Sequence, residues 1–218
     1  MIAMTIRTRQ VLIRVCPFAS GILGAAAFAL VLRVSGLGGW FHFALSSFLW
    51  LGGGWLGANW PSWRNSRGNR LGKSWTHGIV FAALPVFLLL WKMGALREGL
   101  CALGMALNVT YLGAKFRCSL IGCCWARRKS ALRKPLLSMG VSLQQFECWI
   151  TCAILILAAG LFTIDQFPTC AALLFLGHAA LRTYGLLLKM PHRNWNDLLR
   201  NPSISGSCVV GVIAVFFT

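Results

Sequence analysis

Uncharged apolar runs recur along the whole chain, and they leave few folds open to it. Stretches such as ILGAAAFALVL and CAILILAAGLF contain no charge and no alternation of polar with apolar residues. A helix needs about 20 apolar residues to cross the hydrocarbon of a bilayer. Seven segments meet or approach that length: 15–34, 38–58, 77–94, 99–114, 143–163, 168–189 and 204–217. The fourth is interrupted by Gly104 and Asn108, which suits a tilted or interior helix. A closed β-barrel also spans membranes, but its strands must alternate polar and apolar side chains. The expected fold is therefore an all-α integral membrane bundle of about seven transmembrane helices. Composition agrees: the 218 residues are 57% hydrophobic and 11% charged, with a mean hydropathy of +0.70. A soluble domain of this size could not bury so much apolar surface. Residues 1–218 read as one polytopic membrane domain. Arg7, Arg9 and Arg14 precede the first apolar run as in a signal peptide, but Ile13-Arg14-Val15-Cys16 is no lipobox and no small-residue cleavage site follows. An uncleaved first helix is expected.

Positive charge is spread unevenly over this map. The chain has 21 Lys and Arg against four acidic residues, and seventeen of the basic ones fall on one side. They are Arg7, Arg9 and Arg14; Arg64, Arg67, Arg70 and Lys73; Lys115, Arg117, Arg127, Arg128, Lys129, Arg133 and Lys134; and Lys189, Arg193 and Arg200. Arg33, Lys92 and Arg97 fall on the other side, and Arg182 lies inside the sixth segment. The positive-inside rule puts the basic side in the cytoplasm and the C-terminus outside. Such charge can simply set orientation and hold anionic headgroups, at about 1 kcal/mol per basic residue. Alternatively it holds an anionic ligand or partner on that face. Nucleic acid is not an expected partner, since no stacking platform or recognition helix accompanies the charge.

Nine cysteines make an odd set for a disulfide framework. Cys16, Cys101, Cys148, Cys152, Cys170 and Cys208 lie in apolar segments and read as small buried residues. Cys118, Cys123 and Cys124 stand instead among cations, which lower a thiol's pKa and raise its reactivity. A zinc site there would need a fourth ligand, and none is near in sequence, so no metal is expected. A vicinal redox pair is the alternative use of these thiols.

Ionisable residues at membrane depth cost about 2.5–3.5 kcal/mol even on lenient insertion scales, so each suggests a site or a partner. Arg182 is deep in the sixth segment, with His178 one turn before it on the same face. Glu147 lies one turn into the fifth segment, where its carboxylate could pair with Arg182 across the bundle. His77 opens the third segment, as an interfacial hydrogen-bonding group or a functional one. Asn108 and His42 read as helix-packing polar groups.

The order of these pieces resembles the prolipoprotein diacylglyceryl transferase family from about Ala44 to the C-terminus. Gly53-Gly54-Trp55-Leu56-Gly57 resembles that family's GGRIG-like turn, and Trp75-Thr76-His77-Gly78 its FHGG element. KFRCSLIGCCWAR, from Lys115 to Arg127, resembles the signature RIGCFLAGCCYGR. Gln144-Gln145-Phe146-Glu147 resembles QLYE, and Gly177 to Arg182 resembles GYGxFR. Ser203 to Ser207 resembles the LSMGQ that opens the last helix. The chain departs from the pattern with Lys115 and Arg117 around the signature arginine, Trp55 for the turn arginine, Ile121 for an asparagine and Ile79 for a second glycine.

The resemblance implies a seven-helix protein of the bacterial inner membrane that moves a diacylglyceryl group from phosphatidylglycerol to the thiol of a lipobox cysteine. It implies His77 as the base or the thiol-positioning residue, Arg182 as the clamp on the phosphate or the leaving group, and Glu147 as the partner that orients Arg182. Lys115, Arg117, Arg127, Gly78 and Gln144 would line the substrate site, with an anionic phospholipid and a lipobox-containing preprolipoprotein as partners and no cofactor. The chemistry suits the residues, because a guanidinium forks onto phosphate oxygens and a histidine can take a thiol proton. The family's active face is on the outer side of the membrane, whereas the charge count turns the equivalent loops inward. Two other functions fit the same residues: a non-catalytic relative serving as a lipid-binding or assembly subunit of a membrane complex, and a thiol-redox membrane protein using Cys123 and Cys124.

Overall fold

The computed structural model describes residues 6–36, 40–64, 75–121, 136, 138–189 and 201–216, and no strand occurs among them. The described residues are all-helical. Its helices of 15 residues or more are α1 Ile6–Val34, α2 Trp40–Arg64, α3 Trp75–Lys92, α4 Leu96–Ile121, α5 Leu143–Thr163, α6 Phe167–Lys189 and α7 Pro202–Phe216. Each overlaps one of the seven apolar segments. Among the described residues, two helices are long and apolar enough to cross a membrane, Leu143–Thr163 (α5) and Phe167–Leu188 of α6.

Local chemistry accounts for the helix ends. Ser142 starts α5 with a capping box: its hydroxyl accepts from the Gln145 N–H at 3.2 Å, and the Gln145 side chain accepts from the Ser142 N–H at 2.9 Å. Two otherwise orphaned N–H groups are satisfied this way. Gly94, at φ 66°, closes the α3–α4 turn, where its N–H donates to Trp91 and that of Ala95 to Leu90. Only glycine adopts this left-handed backbone without strain.

The helix α4 is the central post, packed against α1, α3, α5 and α6. Every residue from Gly99 to Asn108 is buried, so α4 presents no outer face over that stretch. Small residues let its neighbours close in. A Cβ on Gly104 would meet Leu174 of α6 at 2.8 Å, and one on Gly113 would run into Ser20 of α1. On α2, a Cβ at Gly53 would run into the Phe81 carbonyl of α3. The Gly53–Gly57 segment, within the expected apolar segment 38–58, lies inside α2, where absent side chains allow backbone contact with α3.

Contact pairs fix the directions of the helices. Ile13 and Arg117 meet, as do Ser20 and Gly113, so α1 and α4 are antiparallel. Ile154 meets Gly177, and the Cys170 sulfur lies 3.3 Å from the Ala158 carbonyl oxygen, so α5 and α6 are antiparallel. Cys101 meets Cys170, and Tyr111 meets His178, so α4 and α6 run parallel.

Three expectations need correction. The fourth helix continues to Ile121 rather than ending near 114, because Lys115 is accommodated inside the bundle instead of in a connection. Cys101 and Cys170 are not separate buried thiols; a disulfide joins them, with Cα atoms 6.1 Å apart. Cys152 is exposed, not buried, because its face of α5 is turned away from the other helices.

Candidate functional site

On α4, Asn108, Tyr111 and Lys115 follow one another at helical spacing and face α5 and α6. Glu147 stands one turn into α5, and His178 and Arg182 are one turn apart on α6. These six side chains form a polar cluster between the three helices. Asn108, Glu147 and His178 are all 0% exposed, and Tyr111 is 1%.

Glu147 is its centre. Lys115 donates to one carboxylate oxygen in an ion pair, and the Tyr111 hydroxyl donates to the other at 3.1 Å. Thr151 donates to the Glu147 main-chain carbonyl at 2.7 Å. The Tyr111 ring is enclosed by positive charge and by His178. The Lys115 ammonium is 4.8 Å from its centroid and the Arg182 guanidinium 6.0 Å. The His178 ring stands edge-on to it, with centroids 4.8 Å apart at 78°. The ion partner of Glu147 is therefore Lys115 rather than Arg182, which lies over the tyrosine face instead.

Asn108 links α4 to α6, donating to the Gly104 carbonyl at 2.9 Å and the Leu174 carbonyl at 3.1 Å. This is the helix-packing role expected of it. Its Oδ1, both ring nitrogens of His178 and Nε of Arg182 are buried without a hydrogen-bond partner among the described residues. Orphaned polar atoms in a core each cost about 1–3 kcal/mol, and here four atoms from three side chains lie in one cluster. Two permanent cations against one carboxylate leave one positive charge over. An anion would balance that charge and accept from the unpaired Nε–H of Arg182.

The expected site residues separate into groups. Lys115, Glu147 and Arg182 come together in the cluster, and Gln144 is buried at 3% exposure one turn before Glu147. Arg117 is elsewhere. Two residues along a helix turn the side chain by about 200°, so Arg117 points outward where Lys115 points in. Its Nε donates to the Ile13 carbonyl of α1 at 3.0 Å. Residue 17 is a proline with no N–H to give that carbonyl four residues back, and Arg117 supplies the missing donor. Gly78 is buried near Gly54, its carbonyl oxygen 4.0 Å from where a Cβ there would stand. His77 lies in the first turn of α3, with its side chain outside the described residues. Arg127, Cys123 and Cys124 also lie outside them.

Tyr111 and Thr151 are the functional-site residues the sequence did not single out. The available signal was spacing: Asn108, Tyr111 and Lys115 form one stripe once α4 is carried past 114. Compared with protein-family models, curated proteins and solved structures, the chain matches none.

Proposed function

We propose that this chain is a multi-pass protein of the bacterial inner membrane. In this reading all seven helices cross the bilayer. The exterior supports it: Phe18, Phe48, Ile156 and Phe216 are 70%, 72%, 72% and 75% exposed, on four different helices. Water would penalise such a surface and lipid would solvate it.

We further propose that the cluster binds the phosphate of an anionic phospholipid and that the protein transfers the diacylglyceryl group to a protein cysteine thiol. The net-positive cluster of Lys115, Arg182, Tyr111 and Glu147 carries this reading, since Lys115, Glu147 and Arg182 fall at positions that resemble the transferase family. In the transfer the thiol proton passes to His77 and the sulfur forms a bond to the glyceryl carbon. The carbon–oxygen bond to phosphate breaks, and glycerol phosphate leaves with the electron pair. Arg182 and Lys115 neutralise the charge on that leaving group. Glu147 positions Lys115 and Tyr111.

One observation favours a second reading, a lipid-binding subunit without transfer. Lys115 and Tyr111 already satisfy both carboxylate oxygens of Glu147, which suits a static scaffold as well as a working site. Incubating purified protein with phosphatidylglycerol and a lipobox peptide separates the two. Transfer gives a diacylglyceryl mass shift on the peptide, lost in His77→Ala and Arg182→Ala. Retained phospholipid with no shift rejects the transferase and leaves the binding protein. Loss of both rejects the phospholipid site.

A further inference from the structure

The cysteines divide along the length of the helices. The bonded pair, Cys101 and Cys170, stands near the starts of α4 and α6. At 1.5 Å per residue those sulfurs are about 5–8 Å of helix from the end of the bundle that has few basic residues. The free described thiols fall differently. Cys16, Cys148, Cys152 and Cys208 each lie in the half of their helix nearer the basic end. Disulfides persist in oxidising compartments and are rare where glutathione and thioredoxin keep thiols reduced. Charge and oxidation state are independent properties of the chain, and both assign the same end to the outside.

The polar cluster belongs to the opposite half. Glu147 is four residues from the start of α5, Lys115 six from the end of α4, and Arg182 seven from the end of α6. These are helix distances of about 6–10 Å from the basic end. Cys101 and Lys115, on one straight helix, are about 21 Å apart.

We propose that the Cys101–Cys170 disulfide marks the end of the bundle toward an oxidising, non-cytoplasmic compartment and that the Lys115–Glu147–Arg182 cluster is served from the cytoplasm-facing leaflet. This rests on the multi-pass reading. The anionic lipid is then drawn from the inner leaflet, and an acceptor thiol must be presented on the cytoplasmic side, before any export step. The arrangement is opposite to the outward active face that the transferase resemblance implies.

The test uses single reporter cysteines at the two ends, Gln166→Cys in the α5–α6 turn and Ser138→Cys before α5, in spheroplasts expressing the chain. A membrane-impermeant maleimide should label Gln166→Cys in intact spheroplasts, above the unmodified protein, and Ser138→Cys only after lysis. Labelling of Ser138→Cys in intact spheroplasts overturns the orientation. Digestion under non-reducing conditions should give the Cys101–Cys170 linked peptides, and free thiols at both positions overturn it also. Release of the protein from membranes by alkaline carbonate would instead reject the multi-pass reading, so the two failures are distinct.

Discussion

Lys115 and Glu147 form an ion pair between α4 and α5, with side chains 5% and 0% exposed. A charged pair so far from solvent is not a source of stability in itself, because desolvating both groups offsets their attraction. Its consequence shows when one partner is removed.

Lys115→Ala should destabilise the protein by about 3–5 kcal/mol, because it removes the ion partner of a buried carboxylate. Lys115→Met combined with Glu147→Leu should recover most of that loss, since an apolar pair of similar volume has no charge to desolvate. Thermal denaturation in detergent reads both. Equal destabilisation by the single and double changes would show that the pair is not coupled.

Arg117→Ala should lower stability by about 1 kcal/mol, or about 2–4 °C in a chain of this size, with phospholipid affinity unchanged. The mechanism predicts a specific rescue. Pro17→Ala restores an N–H to the Ile13 carbonyl, so Arg117→Ala should cost much less in that background. A double-mutant cycle measures the difference. Additive effects would mean that Arg117 does not serve that carbonyl, and a loss of lipid affinity would return it to the binding site.

The apolar runs were enough to locate the helices, because a charge-free stretch of that length has few other ways to exist. Glu147 and Arg182 were equally legible as ionisable groups inside such runs. Their partners were not. Lys115 sits at the end of an apolar segment, where a lysine usually marks the boundary, and only the contact with Glu147 shows that α4 continues past it. Tyr111 is amphipathic, so its place in an apolar run gives no warning of its hydrogen bond. The sequence also offered no reason to pair Cys101 with Cys170 among nine cysteines, since the link depends on α4 and α6 running parallel with their starts at one level.

Cys101→Ala with Cys170→Ala should lower stability by about 2–4 kcal/mol, as expected for closing a loop across 69 residues. Cutting this link frees the starts of α4 and α6, while Asn108 still ties the two helices to each other nearer the cluster. Melting temperature should therefore fall with phospholipid affinity little altered. Dithiothreitol should reproduce the shift in the native protein and have no effect on the double variant.

His178→Leu should move stability and function in opposite directions. The imidazole is buried with neither nitrogen hydrogen-bonded among the described residues, and it touches the Tyr111 ring edge-on. Leucine fills similar space without polar atoms to satisfy, so the free protein should gain about 1 kcal/mol. Binding should weaken, because the substitution removes a polar group beside Arg182 and the leftover positive charge. Melting temperature and lipid affinity measured on the same preparation decide the matter. A stabilised variant with weaker binding identifies His178 as a group kept for a ligand. A destabilised variant with unchanged binding would make it a packing residue that holds Tyr111 in place.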